Sequence, residues 1–205
     1  MIDISDKLEI IESLYVKEDY EGVVSYLHNV ENDAKCLWYV ADSFLKIGGE
    51  LNISKAQVLF EKGCEAGYST SCFSLACLYD VNGTAFVEGV DANFICDKNK
   101  AKRLYQKCFD VSLSGADNGN GEDMRMLAMF YCTGILGQCD LDKGYEYYKM
   151  SFDHGMIVSA NDLALFHSDE NSDYYDIEKA CYYFMVAKKH KALVIDPSLG
   201  KKLGC

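Results

Sequence analysis

The sequence predicts an all-α fold: a right-handed α-solenoid of about four helix pairs behind an N-terminal helical cap, with about nine or ten helices and no sheet. Two short blocks recur in alternation along the chain, each with apolar residues at helical spacing. Glycines stand where those helices should stop, and the single proline, Pro197, lies in the tail, so no earlier segment is barred from helix.

The first block reads LACLY from Leu75, LAMFY from Leu127 and LALFH from Leu163, with a weaker copy, VADSF, from Val40. Its Leu, Ala and aromatic positions fall at i, i+1 and i+4 and share one helix stripe, and the small Ala lets a neighbouring helix approach. The second block has a polar start, then Lys, a small residue and an aromatic. It appears around Lys55, Lys100, Lys143 and Lys179, with a degenerate copy around Glu21. Its Asp or Asn is placed to cap the helix N-terminus by accepting an orphan backbone N–H. Apolar residues one, four, five and eight positions after the Lys then share a face. Gly67 and Gly155 fit left-handed helix ends, and Asn82-Gly83 and Thr133-Gly134 break the chain between blocks. Successive lysines are 45, 43 and 36 residues apart, so the shortest gap sets the period and the longer ones hold insertions. No helix pair buries its apolar face alone, so the pairs must stack. The expected layout is a cap over 1–33, a repeat array over 34–192 with loop insertions at 84–96 and 111–121, and a tail over 193–205.

The order L-A-x-x-Y, glycine, then D-x-x-K-A-x-x-x-Y/F with a closing glycine resembles the Sel1-like repeat, a relative of the tetratricopeptide repeat. Gly89-Val90 ahead of Asp97 strengthens the likeness, which covers roughly residues 34–190. The long connection at 84–96, the insertion at 111–121 and the glycine-free HSDENSDYYD depart from it. The resemblance implies a protein-binding adaptor. It also raises a possible disulfide between Cys64 and Cys72, because cysteine-rich members of the group bridge the two helices of a unit at such spacing. The matching positions elsewhere are Phe109 with Met124 and Phe152 with Ala160, so the pair does not repeat, and two buried thiols are the favoured reading.

Charge narrows the partner. The net charge of −12 repels phosphate backbones and attracts a basic protein, so no nucleic acid is expected. No apolar run approaches the roughly 18 residues of a membrane helix, and no membrane partner is expected. The opening MIDISDKLEIIESL is unlike a secretory signal, which points to a cytoplasmic protein with mostly free thiols among its ten cysteines. No CxxC, HExxH, GxSxG or phosphate-binding glycine loop is present, so neither metal nor cofactor is expected. The run ADNGNGED lacks the alternating ligands of a calcium loop. His28, His154, His167 and His190 carry no signature tying them to a cysteine nucleophile.

The binding face is expected on the first helix of each pair, at the variable positions beside the fixed core. One set precedes the block's Leu or Val and includes Tyr39, Ser74, Met126 and Asp162. The other follows its Ala and includes Asp42, Cys77, Met129 and Leu165. Aromatic and Met anchors beside acids suit a negative groove for a protein partner. The most concrete expectation is a non-enzymatic bacterial immunity protein that neutralises a basic antibacterial toxin. A general scaffold or host-directed effector remains the alternative. A hydrolase resembling the cysteine-rich β-lactam-binding members is the second.

Overall fold

The computed structural model describes residues 4–30, 32–80, 96–192 and 199–204. Those residues form helices and no strand. In chain order they are α1 (Ile4–Val16), α2 (Tyr20–Ser25), a 3-10 turn (Leu27–Asn29), α3 (Ala34–Ile47), α4 (Glu50–Glu65), α5 (Ser69–Tyr79), α6 (Lys98–Asp117), α7 (Gly121–Thr133), α8 (Leu141–Asp153), α9 (Ser159–Ser168), α10 (Ile177–Lys189) and α11 (Leu199–Leu203). The chain divides into two compact units, Met1–Val111 and Ser112–Cys205. In the first, α3 packs on α4 and α4 on α5; in the second, α7 packs on α8, α8 on α9 and α9 on α10. Neighbours in sequence are therefore neighbours in space, as in an α-solenoid.

The blocks build these layers. Val40, Leu75, Leu127 and Leu163 are all buried, and the alanines that follow them, Ala41, Ala76, Ala128 and Ala164, are fully enclosed. On the second helices Phe60, Tyr105, Tyr148 and Phe184 fill the position five after the Lys. Small residues come three later: Gly63, Cys108, Ser151 and Ala187. A Cβ at Gly63 would lie 2.3 Å from Ser71 Oγ, and one at Gly144 2.2 Å from Cys132 Sγ, so neither helix contact tolerates a side chain there. Asp97, Asp140 and Asp176 each accept from the backbone N–H of the block Lys three residues on, at 2.9, 3.0 and 3.1 Å. Asn52 departs from that pattern. Helix α4 has already begun at Glu50, and the Asn52 amide donates to the Gly48 carbonyl at 2.8 Å.

Two sequence expectations are corrected. Residues 111–117 are not a loop; they are the last turns of α6, which runs for 20 residues where α8 and α10 run for 13. Only Asn118–Asn120 turn the chain, with Asn120 capping α7 through Glu122 N at 2.9 Å. Asparagines and small polar residues read as a loop, yet Tyr105, Cys108 and Ser112 are buried at helical spacing. The second correction is chemical. Cys64 and Cys72 are joined by a disulfide across the α4–α5 turn, not held as two thiols. The left-handed Gly67 between them (φ 83°) folds the chain back and brings their Cα atoms to 4.6 Å. Cys36, Cys77, Cys96, Cys108, Cys132, Cys139 and Cys181 are free. Most of the connection at 84–96, with Asn82-Gly83 and Gly89-Val90, and the tail residues 193–198 and Cys205 lie outside the described residues.

Candidate functional site

In the first unit, the face expected to bind a partner carries a cluster of rings. Tyr39 packs edge-on against Tyr15 of α1 (5.1 Å between centres) and Trp38 (5.1 Å), and Tyr20 closes on Tyr15 at 5.7 Å. Edge-to-face contacts of this kind add to area burial and fix the rings. The polar ends of Tyr15, Trp38 and Tyr39 are engaged. Tyr39 Oη donates to Glu12 at 3.2 Å, Trp38 Nε1 to Ser74 Oγ at 2.9 Å, and Tyr15 Oη to the Asp42 carboxylate. Burial, then the Asp42 charge, pushes the Tyr15 phenol well above its ordinary value. One oxygen of the Asp42 carboxylate is thus engaged in a hydrogen bond inside the unit.

In the second unit Asp162 is buried, at 8% exposure, and Arg125 Nε and Nη2 donate to its two oxygens at 2.7 and 3.3 Å. Burial raises the Asp162 carboxyl above the ordinary range, and the guanidinium offsets only part of that. A fork of this kind satisfies the Asp162 carboxylate within the fold. Met129 stands four residues after Arg125 and Leu165 three after Asp162, so both continue the same faces by one turn. Met126 and Met129 are half-buried and Leu165 is 36% exposed, leaving an apolar rim beside a neutralised pair. Ser74 is half-buried under Trp38; Cys77 is buried, and burial pushes its thiol up to about 11.

Sequence reading missed Arg125, although the signal was present. Arg125 lies two positions before Leu127 and Asp162 one before Leu163, so a 36-residue register places them on successive first helices almost side by side. It also left Tyr15 unassigned, because α1 falls outside the repeat blocks. The histidines have structural settings. His167 stacks on Tyr183 at 5.8 Å, its Nδ1 donates to the Tyr174 carbonyl at 2.7 Å, and its Nε2 meets the Tyr145 hydroxyl at 3.4 Å. His154 caps α8 and donates from Nδ1 to the Met150 carbonyl at 2.9 Å. Among the described residues no three acids, cysteines or histidines gather to hold a metal, and no helix is long and apolar enough to cross a membrane.

No protein-family model and no curated protein matches the sequence. Solved structures do. A Sel1 repeat protein from Oxalobacter formigenes superposes with a TM-score of 0.50 at 17% identity, over 91% of this chain and 69% of that one. So does c5321, described as a protective antigen present in uropathogenic Escherichia coli strains and displaying an SLR fold, with a TM-score of 0.51 at 16% identity over 85% of this chain. The chain spans 33% of the length of c5321. At such identities the likeness bears on architecture, and it agrees with the repeat register read from the blocks: the chain has the fold of the Sel1-like repeat proteins.

Proposed function

We propose that the chain is a protein-binding repeat module, and most concretely an immunity protein that binds and neutralises a basic antibacterial toxin. The observation that carries the reading is that half-buried Met126 and Met129 and exposed Leu165 stand on the helices that hold the Arg125–Asp162 pair. Methionines adapt to a partner's shape, and a charge pair already satisfied within the fold loses less on being covered than an unpaired charge would. The net charge of −12 supplies long-range attraction to a basic protein. Affinity capture from the native organism, followed by co-expression with the captured protein, tests the proposal. A tight one-to-one complex that rescues cells from a toxic partner supports it. Several non-toxic partners at micromolar affinity would replace it with a general scaffold or regulatory adaptor.

A further inference from the structure

Helix α6 opens KNKAKRLYQK, from Lys98 to Lys107. Five of the chain's 20 cationic side chains fall in this stretch with no acid among them, in a protein of net charge −12. The helix sorts them by face. Ala101, Tyr105 and Cys108 are buried, with Tyr105 against Phe73 of α5 at 5.5 Å, and Lys100 is held by Tyr79 and Glu61. Lys98, Asn99, Lys102, Arg103, Gln106 and Lys107 are exposed. Among the described residues, no ion pair engages Lys98, Lys102, Arg103 or Lys107. A depression of about 390 Å³ is lined by Asn99, Lys102, Arg103 and Gln106, which fall at i, i+3, i+4 and i+7 and so share one face.

This arrangement is locally unfavourable. Lys98 with Lys102 and Arg103 with Lys107 are like charges at i, i+4, and cations in the first turns oppose the helix dipole. Solubility does not call for it either, since the chain already has a large net charge of the other sign. An external anion relieves both penalties. The strip is about 14 Å long at the helical rise, which an extended peptide of four or five residues matches. A nucleic-acid strand continuing past the strip would run into an acidic protein. Arg103 offers a fork to a carboxylate and the Asn99 amide lies beside it to pair with a peptide group, while the Gln106 amide already donates to Asp110 at 2.9 Å.

We propose that the exposed face of α6 between Lys98 and Lys107 docks a short acidic segment of a protein partner. The surface is opposite in sign to what a basic toxin would seek, so it serves a second ligand. The test is fluorescence polarisation of the full chain with a labelled, glutamate-rich decapeptide. Saturable binding is expected, weakening about tenfold from low to moderate salt. It should also weaken about tenfold in Lys102→Glu/Arg103→Glu and in the milder Lys102→Gln/Arg103→Gln, with helix content unchanged by circular dichroism. Lys188→Glu/Lys189→Glu, which changes exposed cations on α10, should bind as the parent does. Absence of saturable binding, binding by both strip variants as tight as the parent's, or tighter binding of a labelled thymidine decanucleotide would overturn the proposal.

Discussion

The Lys100 ammonium lies 4.1 Å from the centre of the Tyr79 ring and donates to its hydroxyl at 2.6 Å. The same pairing recurs across successive helices, with Lys55 over Phe44 at 5.0 Å and Lys143 over Tyr131 at 5.2 Å. The lysine of the second block is therefore fixed by the aromatic that ends the first. In the last pair the ring is His167, and Lys179 reaches Asp176 at 3.2 Å instead. Lys100→Met should lose about 1 kcal/mol in chemical denaturation, whereas Lys179→Met, whose surface ion pair contributes little, should lose less than about 0.5 kcal/mol. Equal losses would show that the ring contact adds nothing.

Helix ends give a second prediction. Five described helices end in the same paired hydrogen bonds around a left-handed residue: Glu18 after α1, Gly67 after α4, Gly119 after α6, Gly155 after α8 and Lys191 after α10. The 3.0 Å bond from Ala192 N to Ala187 O repeats the one from Tyr68 N to Gly63 O. Lys191 adopts φ 54° with a Cβ in place, which carries a steric penalty that glycine avoids. Lys191→Gly should stabilise by up to about 1 kcal/mol and Gly155→Ala should destabilise by about as much, read as opposite shifts in the thermal midpoint.

The Arg125–Asp162 pair gives a pH-dependent prediction. A raised carboxyl pKa means that the folded state binds the proton more tightly than the unfolded chain, so stability from this group falls as pH rises above the ordinary value of 3.8. Arg125→Met leaves the buried carboxylate unpaired and raises it further. At neutral pH the variant should lose about 2 kcal/mol, less than a fully enclosed pair would, because the Arg125 side chain is 34% exposed. The deficit should shrink as pH falls and Asp162 takes up its proton, and adding Asp162→Asn should remove most of it at neutral pH. A deficit independent of pH would contradict the assignment.

Seven of the ten cysteines fall into three chemical groups. Closing the short loop between Cys64 and Cys72 should contribute about 2–3 kcal/mol, so the Cys64→Ala/Cys72→Ala variant should unfold at lower denaturant. Burial pushes the Cys77 and Cys132 thiols up to about 11 and that of Cys36 up to about 12, so alkylation at mildly alkaline pH should leave them behind. Exposed Cys96 and Cys139 should react first, as peptide mapping of the modified protein would show.

Much of the fold was legible because its signals are local. Leu–Ala stripes, capping aspartates and stop glycines each act within a few residues, and the structure places Leu75, Asp97 and Gly67 in those roles. The α6 extension was missed because Ser112, Ser114, Gly115 and Asn118 carry turn propensity that packing overrides: Ser112 is fully buried. The site was less legible. Its positions were found by register, but whether a carboxylate faces solvent or a partner inside the fold depends on residues 27 and 37 positions away, Tyr15 for Asp42 and Arg125 for Asp162. The disulfide was underweighted because it occurs at one turn only, and a framework argument from repetition cannot see a single bridge.

In the proposed function, first-helix faces bind the partner protein. Hydrogen exchange of the purified complex against the free chain tests it most directly. Protection should concentrate on α7 and α9 around Met126, Met129 and Leu165, and Met126→Ala/Met129→Ala should speed dissociation by about tenfold or more without unfolding the chain. Protection confined to the exposed sides of α8 and α10, with dissociation unchanged in that variant, would contradict the account.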